Sequence, residues 1–565
     1  MEMSYVSGTS DLPLVHATIG QLLSTAAEEY ADREALVSIH QSLRYTYSEL
    51  DALVNSYAAG FLACGMKPGD RVGIWSPNNA EWVITQFATA RAGLILVNIN
   101  PAYRLNELEY ALNKTGCKGL VSAKSFKTSN YVGMVQSLAP EIEQCEPGQL
   151  QSEKLPDLKL VAVIGGDEDL PSGFMNFEAI SAAATKKSHQ ELIDLQPSLD
   201  ADDAINIQFT SGTTGFPKGA TLSHHNIINN GRFCGDRMKF QSGDRLCIPV
   251  PLYHCFGMVL GVLTCVSLGA TMVLPDEAFE AASVLQAVQD EKCTGLFGVP
   301  TMFIAELDHP DFEQYDLSTL RTGVMAGSPC PIEVMKRVIS DMNMVDVTIG
   351  YGMTELSPLS FQTCPEDSLE KSVTTVGRAH PFVETKIVNK QGQVVPRGVQ
   401  GEILSRGYSV MKGYWNDEER TAEARDAEGW MHTGDLGVID DEGYCKITGR
   451  SKDMIIRGGE NIYPREIEEF LYTHPAIADV QVFGIPDEKY GEDICAWILK
   501  KPGHDVDLAT IKEFCAGKIA HFKVPRIVRV VDEFPMTVTG KIQKFVMRDM
   551  MIEIMDQDAA RIRGT

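Results

Sequence analysis

The stretch Arg71–Asn98, RVGIWSPNNAEWVITQFATARAGLILVN, decides the fold. Arg71–Trp75 reads as a strand, Asn79–Ala92 as a helix that stops at Gly93, and Leu94–Asn98 as the next strand. A strand, a helix and a strand within about thirty residues make a βαβ unit, because parallel strands need a crossover connection. Just upstream, Ser48–Asp51 reads as a capping box opening a helix with Leu50, Leu53, Tyr57 and Phe61 on one face, and Gly65 fits its C′ position. The alternation returns at Glu107–Thr115 with Gly119–Ser122, at Phe279–Glu291 with Thr294–Gly298, and at Ile332–Met342 with Val345–Ile349. The fold class is therefore α/β, with layered parallel sheets over roughly the first 350 residues.

The texture changes after about Gly377. Runs such as Glu384–Val388 and Gly401–Ser405 are split by Gly, Pro and Asn turns, which predicts a β-rich subdomain over about 377–449. From Ser451 helices (Pro464–His474, Leu508–Ala516) and strands (Ala478–Gly484, Arg526–Val531) mix again. The expected division is a large N-terminal domain, 1–450, followed by a small α+β C-terminal domain, 451–565. Glu143–Pro156 reads as loop.

Composition narrows the function classes. In 565 residues, 44% are hydrophobic and 22% charged, which is globular. A net charge of −26 repels nucleic acid and anionic lipid, so neither is an expected partner. The 13 cysteines are scattered, odd in number and without a C-x-x-C pair, which predicts reduced thiols and no zinc site. The start, Met1-Glu2-Met3-Ser4-Tyr5, carries neither a signal peptide nor an Arg-rich leader, so the expected location is cytoplasmic, with mitochondrial after loss of a leader as the alternative. The longest apolar run, Gly257–Leu268, is too short for a bilayer, which takes about 20 residues, so no integral membrane segment is expected. The assembly is left open between monomer and homodimer.

Four motifs carry chemistry. The first, Gln208–Gly219, follows an apolar strand and precedes a helix at His224–Asn230. Its interleaved hydroxyls and glycines (Thr210, Ser211, Gly212, Thr213, Thr214, Gly215) let backbone N–H groups converge on a phosphate, and Lys218 adds a cation. It is not a Walker A loop, since Pro217 stands where glycine is required and no hydroxyl follows the lysine. The second, Gly350-Tyr351-Gly352-Met353-Thr354-Glu355, ends an apolar strand and presents a hydroxyl and a carboxylate fit to hold Mg²⁺ against phosphate. The third runs from Thr433-Gly434-Asp435 to Arg450, Lys452, Gly458 and Gly459; Asp435 suits ribose hydroxyls. The fourth is a lysine on a Gly/Thr turn, Thr539-Gly540-Lys541. Taken singly, the last three read more readily as turns and solvated charges than as ligand contacts.

Together, in this order, the chain resembles the adenylate-forming superfamily of acyl-CoA synthetases, luciferases and adenylation domains, from about Thr18 to about Met550. It is most similar to the medium-chain fatty acyl-CoA synthetases, through stretches such as Asn100-Pro101-Ala102-Tyr103, Pro251–Gly257 and Tyr351–Pro358. The resemblance implies a C-terminal domain that moves, and ATP, coenzyme A, a carboxylic acid and Mg²⁺ as ligands. It implies that Thr210–Gly219 holds the β- and γ-phosphates, that Gly327, Ser328 and Gly350–Gly352 flank adenine, and that Thr354 contacts the α-phosphate. Glu355 would ligate Mg²⁺, Asp435 would bind ribose with Arg450 nearby, and Lys541 would reach the α-phosphate. Lys452 would be the hinge, and Gly458 and Gly459 the thiolation loop. His254, Phe256, Leu260, Val299, Met302 and Gly350 would line an acyl site, whose apolar character disfavours an amino-acid substrate. The implied activity is fatty acid–CoA ligation through an acyl-adenylate. The rivals are an aryl-CoA ligase of the 4-coumarate type, an enzyme loading a carrier protein, and a nucleotide-binding scaffold without activity. His254 stands open between base and gate.

Overall fold

The computed structural model describes residues 2–563 apart from 9–11, 166–169, 211–216, 329, 451, 458–459, 488 and 538–539. One large sheet has at its centre the parallel strands Leu160–Ile164, Cys117–Ala123, Arg71–Trp75, Ile95–Asn98 and Ala204–Thr210. A second has the parallel strands Asp346–Gly352, Thr322–Met325, Gly295–Gly298, Arg245–Cys247, Thr271–Leu274 and Glu34–Ser38. Strands such as Leu160–Ile164 and Thr322–Met325 are buried along their whole length, as expected where helices cover both faces.

The largest core cluster draws on both sheets, with Ile74 and Leu96 from one and Leu246, Met272 and Val324 from the other. The helices Tyr47–Ala63, Ala80–Arg91 and His224–Arg237 contribute to it as well, so a helical layer lies between the sheets. Separate clusters fill the outer faces. An antiparallel sheet of Tyr5–Ser7, Val383–Val388, Gly401–Gly407, Met431–Ile439 and Cys445–Arg450 follows the texture change at Gly377. A C-terminal sheet pairs Ile477–Asp487 with Gly491–Lys500 and has its own core around Ile467, Val482 and Ile498.

One expectation changes, and two elements went unread. The Tyr47–Ala63 helix is capped by Thr46 with Glu49, not by Ser48 with Asp51. The Tyr47 hydroxyl, donating to the Cys265 and Ala270 carbonyls at 3.0 and 2.7 Å, fixes that earlier start. The helix after the hydroxyl-rich motif starts at His224 as expected, but an unread strand, Lys218–Ser223, comes first and pairs antiparallel with Ala204–Thr210. The last helix, Lys544–Arg563, was not read from the sequence; Met547, Met551 and Ile554 pack it on the C-terminal domain.

One core residue is out of place chemically. Glu306 is 1% exposed, and neither carboxyl oxygen has a hydrogen-bond partner among the described residues. Burial pushes its carboxyl well above the usual range. The folded chain therefore keeps a proton that the unfolded chain loses above about 4.5. That contribution is fully present in acid and is lost as pH rises, by up to about 1.4 kcal/mol per pH unit. Glu306→Leu should raise the thermal midpoint more at pH 8 than at pH 5; an equal gain at both would show that Glu306 is not held neutral.

Candidate active site

Strand ends from both sheets build the site, at the carboxyl edge where open parallel sheets bind ligands. The Asp346–Gly352 strand delivers Gly350, Tyr351 and Gly352, and a 3-10 turn, Thr354–Leu356, follows. Gly352 is required there, since a Cβ would lie 1.8 Å from the Pro358 carbonyl oxygen. Glu355 is buried; its Oε1 accepts from the Tyr414 hydroxyl at 2.8 Å and from Thr210 Oγ1 at 3.2 Å, tying the two sheets together. Burial pushes the Tyr414 hydroxyl far above its ordinary range, so it remains a donor. The Lys218 ammonium lies 4.9 Å from the Tyr414 ring centroid. Ser211, Gly212, Thr213, Thr214 and Gly215 lie outside the described residues, as do Gly458 and Gly459.

Asp435 and Arg450 face each other across the Met431–Ile439 and Cys445–Arg450 strands. Arg450 Nε donates to Asp435 Oδ1 at 3.1 Å, and the Tyr351 hydroxyl donates to Oδ2 at 2.7 Å. Burial raises the Asp435 carboxyl, and these two donors restrain the rise. Lys452 sits in a turn just beyond Arg450.

The C-terminal lysine enters from a separate element. Thr537 N–H donates to the Lys541 carbonyl at 2.8 Å and Lys541 N–H to Thr537 Oγ1 at 3.1 Å, forming a tight turn. The turn docks on the start of the Pro300–Leu307 helix, where Thr301 Oγ1 donates to the Gly540 carbonyl at 3.4 Å. The side chain reaches a small cavity lined by Val250, Pro251, His254, Phe256, Val299 and Gly327. Gly327 has φ +91°, and a Cβ on it would stand 3.6 Å from Lys541 Cε; Ser328 follows it. Burial and the Arg450 guanidinium lower the Lys541 ammonium, while Glu355 and Asp435 pull it back up.

His254 faces the same cavity. Its Nδ1 accepts the Phe256 N–H at 3.1 Å, which leaves the ring proton on Nε2. Burial, with Lys541 nearby, pushes the imidazole down to about 3. Phe256 and Leu260 lie on a wide π-helical segment, Phe256–Leu263, all of it buried. Val299 and Met302 belong to the same core cluster, and Gly350 packs against Leu359 and Val324.

Several residues that hold the candidate site in place escaped the sequence reading. Asn78 holds the Pro251 segment through the Val250 carbonyl (3.0 Å) and Leu252 N–H (2.8 Å). Asn98 donates to the Tyr253 carbonyl at 2.9 Å and accepts from Asn206, which accepts from Gln208. Gln208 in turn accepts from the Cys255 thiol at 3.1 Å. Polar side chains inside apolar strands were the available signal; Tyr414 offered none. Among the described residues, no group of three or more His, Cys, Asp or Glu is arranged to hold a metal by itself. Glu355, a buried carboxylate bonded by hydroxyls, fits a hard cation that shares its shell with phosphate oxygens. No helix among those residues is long and apolar enough to cross a membrane.

The chain matches the family model described as AMP-binding enzyme over residues 23–415 and the one described as AMP-binding enzyme C-terminal domain over 466–541. It is 51% identical over 549 residues to a putative acyl-CoA synthetase, YngI, of Bacillus subtilis (strain 168), covering 97% of this chain and 100% of that protein. It is 48% identical over 549 residues to the medium-chain acyl-CoA ligase ACSF2, mitochondrial, of Danio rerio, covering 97% and 90%. The crystal structure of ATP-bound MatB from Rhodopseudomonas palustris is similar with a TM-score of 0.80 at 27% identity, covering 95% of this chain and 99% of that one.

The geometry around His254 makes a prediction independent of any substrate. With ¹³C-labelled histidine, the His254 ring resonance should not titrate between pH 8 and pH 5, and in Lys541→Ala its pKa should rise, because a neighbouring cation is removed. A midpoint near 6.5 in the unaltered protein would contradict the buried, neutral ring.

Proposed function

Because this chain belongs to the AMP-binding enzyme family, we propose that it is an AMP-forming acyl-CoA synthetase converting a medium-chain fatty acid, ATP and coenzyme A to acyl-CoA, AMP and pyrophosphate. The observation that carries this reading is the convergence of Lys541 on Glu355, Asp435 and the cavity beside His254. A carboxylate is inert to thiols because oxide is a poor leaving group. Its oxygen instead attacks the α-phosphorus of ATP, the bond to the bridging oxygen breaks, and pyrophosphate departs.

Negative charge concentrates on the phosphoryl oxygens in that step, so fixed cations supply much of the catalysis. Lys541 is the mobile one and Lys218 stands over the Tyr414 ring; Thr354 bonds the α-phosphate and Asp435 the ribose. Mg²⁺, held by Glu355 together with the phosphates, would supply further charge neutralisation. Bringing two anions into line is a positioning task worth up to ~7–11 kcal/mol.

The CoA thiol then loses its proton to water, its sulfur attacks the acyl carbonyl, and the acyl–oxygen bond to the phosphate breaks as AMP leaves. In our reading the domain boundary falls at 450/451, and the C-terminal domain turns at Lys452 to withdraw Lys541 and bring in the Gly458–Gly459 loop. A ring with its proton on Nε2 cannot take the thiol proton there, so His254 acts as a gate and hydrogen-bond donor rather than a base. The cavity wall of Val250, Pro251, Phe256 and Val299 offers no charged partner for an ammonium group, which fits an aliphatic acid.

Lys541→Ala should abolish pyrophosphate release while sparing thiolysis of supplied acyl-AMP; equal loss of both would contradict the two-orientation scheme. Lys452→Pro should slow thioester formation alone, and unchanged thiolation kinetics would remove the hinge assignment. Across acids from acetate to stearate, CoA consumption should peak at medium chain length, and faster turnover of aromatic acids would overturn the substrate assignment.

A further inference from the structure

Lys541 is aimed by a turn, and the turn has an anchor. Three residues on, the Lys544–Arg563 helix begins, and the Lys544 ammonium donates to Glu468 Oε1 at 2.5 Å. Glu468 lies on the Pro464–Leu471 helix with its side chain 7% exposed. The same oxygen accepts the Val482 N–H at 2.8 Å. One buried carboxylate therefore joins a helix, the Ile477–Asp487 edge strand of the C-terminal sheet and the first residue of the last helix.

The connection from Lys544 back to Lys541 is short and stiff. It consists of Ile542 and Gln543. Ile542 pairs antiparallel with Met536, and Gln543 N–H donates to the Pro535 carbonyl at 2.9 Å. Phe534, just before that arm, is buried in the C-terminal core. A displacement of Lys544 is thus passed to the turn rather than absorbed. Buried ion pairs of this kind set geometry more than they add stability. The other buried carboxylates described in this unit have their own partners: Asp479 accepts the Tyr472 hydroxyl and the Val480 N–H, and Asp493 pairs with Arg457 and Arg526.

We propose that Glu468 is a positioning residue for adenylation: through Lys544 it fixes the turn that presents Lys541 to the α-phosphate. The inference rests on the reading of Lys541 given above. Glu468, Lys544 and Lys541 belong to the same C-terminal unit, so the pair persists in any orientation of that unit. Only adenylation uses Lys541, so loss of the pair should separate the two half-reactions.

The test uses the full-length protein, with pyrophosphate release from octanoate and Mg-ATP as one readout and thiolysis of supplied octanoyl-AMP as the other. Glu468→Gln keeps an amide oxygen for the Val482 N–H and removes the charge. Its adenylation kcat should fall about tenfold to hundredfold, the cost of a misplacement on the order of 1 Å. KM for ATP and the thiolysis rate should stay within about twofold, because ground-state binding is untouched. Lys544→Arg, which can still pair, should keep most of the adenylation rate. Lys544→Gln, expected to show the same split as Glu468→Gln, serves if the latter does not fold. Equal loss of both half-reactions, or unchanged adenylation, would overturn the proposal. If Lys541→Ala itself retained adenylation, the underlying reading would fall; if it lost adenylation while Glu468→Gln kept it, only the positioning role would.

Discussion

An ammonium group taken out of water costs several kcal/mol unless opposite charge meets it. The site is organised around that constraint at Lys541. Burial and the Arg450 guanidinium disfavour the charged lysine, and Glu355 and Asp435 compensate. Those carboxylates come from different sheets and are fixed by neutral donors, Tyr414 and Thr210 for one and Tyr351 for the other. The arrangement is neither a stable salt bridge nor an empty pocket. It is a set of charges whose balance a polyphosphate would alter, which is why one lysine on a separate element can serve a single chemical step.

The scaffold holds the site by polar contacts within apolar layers. Asn78 and Asn98 fasten the segment before His254 from the ends of neighbouring strands. Buried amides are costly unless paired, and once paired they specify one geometry. Here they stop the His254 segment from sliding over the sheet edge.

Much of the fold was legible because local signals and the tertiary structure agree. Arg71–Trp75 is a strand as read, Asn79 does cap the next helix, and Gly93 ends it with a positive φ. The β-rich texture after Gly377 corresponds to an antiparallel sheet. The misreadings have physical causes. A capping box can be drawn at Ser48 as easily as at Thr46, and only the distant Cys265 and Ala270 carbonyls choose between them. Lys218–Ser223 is too short and polar to announce itself as a strand until it pairs with Ala204–Thr210. In the site, residues bearing charge or glycine in a recognisable order stood out, whereas Tyr414 and Asn98 matter only through partners 59 and 155 positions away. Glu468 looked like one acid among 76 acidic residues.

The wide helical segment Phe256–Leu263 has a consequence for how this cavity can diversify. A π-helical turn holds more residues than an α-helical turn of the same reach. A single deletion there can tighten the coil while the flanking backbone keeps its place. Residues within the coil would face new directions, while those beyond it would keep theirs. The wall is therefore a spot where descendants can change the shape offered to an acyl tail by losing one codon, without repacking the sheets on either side.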